Sequence, residues 1–150
     1  MSANNITQLC QQAAKAYLDS EALSFITDNE TQIVTGISGG DNLLPMVICQ
    51  CQSADAEVPY EGNWSAHLRI ELRCESDDTT EDEHHARAGE LFGKFMVSVA
   101  AGRASMSNAL LGFTCQQLLP VRQGWEINDN SWVSFIELTV VCAGTYFDTA

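Results

Sequence analysis

Apolar residues recur at three- and four-residue spacing through Ile6, Leu9, Cys10, Ala13, Ala14, Tyr17 and Leu18, which sets them along one side of a helix. The pattern predicts a first helix from Ile6 that ends between about Asp19 and Phe25. Gly36, Gly39 and Gly40 then predict a loop, and Leu43 to Cys49 a short buried strand with Pro45 confined to its beginning or to a sheet edge. The polar stretch Gln52 to Asn63, with Pro59 and Gly62, reads as a connection. After it the period changes to two: Trp64, Ala66, Leu68, Ile70, Leu72 and Cys74 alternate with Ser65, His67, Arg69, Glu71 and Arg73. That is a strand with one buried and one polar face.

Thr80 followed three residues later by Glu83 matches a capping box, with acids placed to favour the positive end of a helix dipole. A second helix therefore begins here. Its stripe is Ala88, Leu91, Phe92, Phe95, Met96 and Val99, and it ends at or before Gly102. Phe113 to Leu119 and Trp132 to Ala143 predict two further strands, separated by bends at Gly124 and at Asn128-Asp129-Asn130. In the last strand Trp132, Ser134, Ile136, Leu138, Val140 and Cys142 share one face and Val133, Phe135, Glu137, Thr139 and Val141 the other. Both faces are largely apolar, as in a central strand or one that meets a helix or another subunit. The order is that of an α+β single domain over residues 1–150: an antiparallel sheet of about four strands with helices packed on a face, and a mobile tail from about Gly144.

Composition agrees with one domain. The 150 residues are 45% hydrophobic and 18% charged, and a chain of this length removes roughly 70% of its unfolded surface from water. Seven Lys+Arg stand against 20 Asp+Glu, a net charge of −13. So few cations form no basic patch for nucleic acid phosphates or for an anionic membrane. No run reaches the roughly 20 apolar residues that span a bilayer, and MSANNITQLCQQ lacks the features of a secretory signal, so a cytoplasmic site of synthesis and assembly is expected. In that setting Cys10, Cys49, Cys51, Cys74, Cys115 and Cys142 are expected as free, strand-buried thiols.

Candidate chemistry is sparse. Glu75 to Glu83 holds six carboxylates, followed by His84 and His85, but adjacent histidines on a helix point about 100° apart and cannot address one ion as residues four apart do. His67 has no nucleophile-elbow motif to serve, and Gly36-Ile37-Ser38-Gly39-Gly40 lacks the Gly-Lys-Ser/Thr of a phosphate loop. Trp64 and Trp132 share the parity of their strands' apolar positions, which favours packing over base stacking. No catalytic residue, metal ligand or cofactor is expected, and the protein is not expected to be an enzyme. The surfaces open to interaction are the acids Glu75, Asp77, Asp78, Glu81, Asp82 and Glu83 and the second face of the last strand, Val133, Phe135 and Val141.

Gly62-Asn63-Trp64, the alternating strand to Arg73, and Asp77-Asp78-Thr79-Thr80-Glu81-Asp82-Glu83-His84 at a helix start resemble the tail-terminator and tail-completion proteins of long-tailed bacteriophages, over about Leu44 to Ala143. The resemblance implies a structural virion protein at the head-tail joint, with no active site. It would form a ring, usually hexameric, on the end of the tail tube, stop polymerisation and meet a head-completion or connector protein. DNA would be only passing cargo, which an acidic lumen would repel without holding. A head-tail connector or minor tail protein is the near alternative. An acidic DNA mimic that inhibits a host protein is the alternative from another class, though it needs acids spaced along an extended face rather than one dense cluster.

Overall fold

A computed structural model describes residues 5–20, 32–35, 46–56, 63–77, 79–101, 106–107, 112–128 and 130–144. Helix α1 (Ile6–Ser20) begins at Asn5, whose side-chain oxygen accepts from the Gln8 N–H at 2.8 Å and satisfies one orphan donor of the first turn. All seven apolar residues of its stripe are buried. The strands are β1 (Gln32–Thr35), β2 (Met46–Ala56), β3 (Asn63–Glu75), β4 (Phe113–Asn128) and β5 (Ser131–Gly144), and α2 (Glu81–Ala101) lies between β3 and β4. They form one sheet in the order β1-β2-β3-β5-β4, with β1 parallel to β2 and every other pairing antiparallel.

The sheet thus has five strands rather than about four, and it is mixed. The added strand is β1, whose four residues Gln32-Ile33-Val34-Thr35 are too few to show a period and which pairs in parallel with β2. Two strands run longer than their patterns suggest. β2 continues through the polar residues to Ala56 past a register shift between Cys51 and Ser53, and β4 continues from Leu119 to Asn128. Pro120 is tolerated because β4 is an edge strand and the register shifts between Pro120 and Arg122. Gly124 is no bend. It sits opposite Phe135 of β5, where a Cβ would come within 2.7 Å of the phenyl ring.

The core lies between the sheet and both helices. Val47, Cys49 and Cys51 of β2, Leu68, Ile70, Leu72 and Cys74 of β3, and Ile136, Leu138, Val140 and Cys142 of β5 meet α1 and Ala88, Leu91, Phe92 and Phe95 of α2. The helices are tied together there: the Tyr17 hydroxyl donates to the Lys94 carbonyl at 2.7 Å, and its ring stands edge-on to Phe95. Among the described residues no helix is long and apolar enough to cross a membrane. The glycine loop at 36–40, Pro45, Asp78, Asp129 and the tail beyond Gly144 lie outside the described residues.

Candidate functional site

The acidic segment forms a fixed rim at one end of the sheet. Glu75 closes β3, Asp77 stands in the turn after it, and Glu81, Asp82 and Glu83 occupy the first turn of α2; all five are exposed. The Thr80 hydroxyl accepts from the Glu83 N–H at 3.2 Å while the Glu83 carboxylate accepts from the Thr80 N–H at 3.4 Å, the reciprocal pattern of a capping box. Ser76 donates through its N–H and its hydroxyl to the Asn130 carbonyl, and the Trp132 indole donates to the Thr79 carbonyl at 2.9 Å. These bonds hold the carboxylates beside the β4–β5 end of the sheet. Their electrostatic field is therefore local to one edge.

The second face of β5 is covered largely by its own chain. Val133 is 2% exposed and Val141 is half-buried. Phe135 carries the Arg69 guanidinium 4.0 Å above its ring and that of Arg122 at 5.2 Å. Both arginines also reach Glu137, at 3.0 and 2.8 Å, and Glu71 bridges Arg69 and Arg73 at 3.0 and 2.6 Å. Burial acts to raise the Glu137 carboxyl, but hydrogen bonds from Arg122 and Arg69 prevail and hold it below the usual carboxylate range. The apolar character of Val133 and Phe135 is thereby satisfied within the subunit, under a band of three arginines and two glutamates.

Among the described residues, all the exposed large apolar side chains except Met96 of α2 lie on β4, where the sequence pattern marks no surface. Leu119, Val121, Trp125 and Ile127 are 41, 60, 48 and 57% exposed. Full burial of a large apolar side chain is worth roughly 1.5–3 kcal/mol, so these residues, spread over both faces of the strand, hold a reserve that a partner can use. A groove of about 340 Å³ runs between β4 and α2, lined by His85, Ala88, Gly89, Phe92, Trp125 and Ser134 among others. On the opposite face, a hollow of about 310 Å³ brings Val121 together with Gln50, His67, Arg69 and Glu137. The readable signal was the alternation Gln123-Gly124-Trp125-Glu126-Ile127, hidden behind Pro120 and Gly124.

His84 is fully buried at the floor of this region, its Nε2 2.8 Å from the Ser134 hydroxyl, while its Nδ1 has no partner among the described residues. Burial, with the charges of His85 and Arg87, pushes its pKa down to about 4, so the ring is neutral near pH 7. His85 stands edge-on to Trp125 at 4.9 Å, and its ring lies 5.8 Å from that of His84, so the two imidazoles join Trp125 and Trp132 in one aromatic cluster. His67 is half exposed and lies 3.0 Å from Asp55. Among the described residues no three His, Cys, Asp or Glu side chains gather as a metal would require. All six cysteines are free and buried. Burial pushes Cys49 and Cys142 up to about 12, and the hydrogen bond with Cys51, together with burial, holds Cys10 well above the ordinary thiol range, which leaves these three thiols unreactive. Trp64 and Trp132 pack against the core, whereas Trp125 stands outside it, about half exposed.

No family model matches the chain, and no curated protein is similar to it in sequence. The fold is similar to that of a solved structure described as the virion of a native gene transfer agent (GTA) particle, with a TM-score of 0.54 at 13% identity, over 89% of this chain and 94% of that one. At that identity the likeness is one of fold.

Proposed function

We propose that this chain is a structural protein of a tailed-phage virion or a phage-like particle, and that it forms a ring at the head-proximal end of the tail tube, ends tube polymerisation and joins tail to head. The observation that carries the reading is the shared fold, which spans nearly the whole of a chain taken from a virion particle. Two features support it. The exposed apolar residues of β4 need a partner, and closed cyclic symmetry is how identical subunits cover such a surface without growing into a fibre. A net charge of −13 repeated around an axis gives a lumen through which DNA phosphates pass without adhering. The role is structural rather than catalytic, with the tube protein on one side and a head-completion or connector protein on the other.

The test is to add gold-labelled protein to tubes assembled from the tail-tube protein encoded nearest to it, and to image them by negative stain. Label on one end of each tube, with tube growth arrested, is the expected result. Tubes that grow unchecked and carry no label would remove the terminator role.

A further inference from the structure

The six thiols are all free, but they are not equivalent. Cys10 of α1 and Cys51 of β2 meet across the contact between helix and sheet, where the Cys10 thiol donates a hydrogen bond to the Cys51 sulfur. A second bond fixes the meeting: the Cys51 N–H donates to the Gln11 side-chain oxygen at 3.1 Å, so the next residue of the helix is bound to the same point of the strand. Cys51 also stands at the register shift of β2 against β3. As a thiol it donates to the Ser53 carbonyl at 3.6 Å, and as a thiolate it accepts from the Ser53 and His67 N–H groups. The bond from Cys10, aided by those two, outweighs burial and holds the Cys51 thiol below its ordinary range. Burial instead raises Cys74 and pushes Cys49 and Cys142 up to about 12. Cys51 is 5% exposed and is followed by the exposed Gln52 and Ser53, whereas Cys10 is at 0%. A small oxidant therefore reaches Cys51 first.

We propose that Cys51 is a site of oxidation by hydroperoxides and that Cys10 is its resolving partner, so that a disulfide fastens α1 to β2 once the chain has folded. This holds whether or not the chain forms a ring. The Cys51 thiolate attacks one oxygen of hydrogen peroxide: an S–O bond forms as the O–O bond breaks, and the hydroxide released takes up the proton that the thiol gave and leaves as water. Cys51 is then a sulfenic acid. The Cys10 sulfur attacks it, the S–S bond forms as the S–O bond breaks, and the departing hydroxide leaves with the Cys10 proton as a second water. Two thiols and one peroxide become one disulfide and two waters. The order of the steps follows from the burial of Cys10, which meets no oxidant itself but lies against Cys51. Residues 10 and 51 are distant in sequence and meet only when α1 lies on the sheet, so the link records the folded state. The rival pair is Cys115 and Cys142, Cα partners across β4 and β5, where burial keeps Cys142 protonated.

The test exposes the reduced, desalted chain to an equimolar amount of hydrogen peroxide, digests it in acid without reductant and maps linked peptides by mass spectrometry. The expected result is a link between Cys10 and Cys51 with the loss of two hydrogens, while the other four cysteines still accept an alkylating reagent. The melting temperature should rise by about 5–15 °C and return to its starting value on reduction. Cys51→Ala, first shown to melt as a folded chain, should gain neither link nor shift, and the map of the parent decides even where that variant fails to fold. A peroxide-treated parent whose six thiols all stay free would overturn the proposal, as would a link confined to Cys115 and Cys142. A link between Cys10 and Cys51 that forms only in denaturant would overturn the contact on which the proposal stands.

Discussion

Strands β3 and β4 belong to one sheet, are separated only by β5, and are both rich in large apolar residues, yet water meets them differently. On β3, Leu68, Ile70 and Leu72 are at most 1% exposed, enclosed by β2, β5 and the helices. On β4, Trp125 and Ile127 point to the same helix side and remain about half exposed, because neither helix covers the far end of the edge strand. Equal hydrophobicity thus has two outcomes: on β3 it holds the chain together, and on β4 it is left in water, where the proposed assembly would use it. The contrast can be broken or sharpened by substitution.

The largest effect is expected from paired truncations. Ile70→Ala should cost about 2–5 kcal/mol of unfolding free energy, as buried large-to-small changes do, while Ile127→Ala should stay within about 0.5 kcal/mol of the parent, as exposed positions do. Denaturant midpoints taken under conditions where the parent is a single chain decide it, and equal losses would erase the distinction between the strands.

Next in size is a pH effect at the boundary between core and groove. The folded state holds His84 neutral down to about 4, whereas the unfolded chain takes a proton near its ordinary 6.5. Between these values the unfolded state binds more protons, so this contribution is complete above pH 6.5 and is lost as pH falls through the window. The whole loss is on the order of 3–4 kcal/mol, since each tenfold change in proton affinity is worth about 1.4 kcal/mol. His84→Gln should flatten the stability curve there. A curve as steep as the parent's would mean that the groove floor is wet.

Thr80→Ala should cost about 1 kcal/mol through loss of the cap on α2, the helix that walls the groove. Unchanged denaturant midpoints would detach the cap from that wall. Reductant should move the melting temperature not at all, because the buried thiols are free, and a fall would mean that a covalent tie rather than packing holds β3 and its neighbours.

Much of this was legible in the residues. The alternation of β3, the stripe of α1 and the capping box of α2 each state a local geometry that the fold keeps, since one face of each element is buried and fixes the period. Four-residue β1 states no period. The second half of β4 was masked by Pro120 and Gly124, which punctuate a chain in general but fit an edge strand, the glycine by admitting Phe135. The exposed patch was harder still. Trp125 and Ile127 alternate as Leu68 and Ile70 do, and only the reach of a helix over the sheet separates the two cases. Conversely, Val133 and Phe135 read as surface on a strand apolar on both faces, but Phe135 lies under the arginines of two neighbouring strands and Val133 is buried within the chain.

The most direct measurement of the central claim, that β4 is the assembly surface, is amide hydrogen exchange of the parent at low and high protein concentration, resolved by peptide. Protection in residues 113–128 should rise with concentration while that in 64–74, already enclosed by neighbouring strands, stays constant. An assembled sample in which 113–128 exchanges as fast as in the single chain, with new protection confined to the acidic rim at 75–83, would contradict the account.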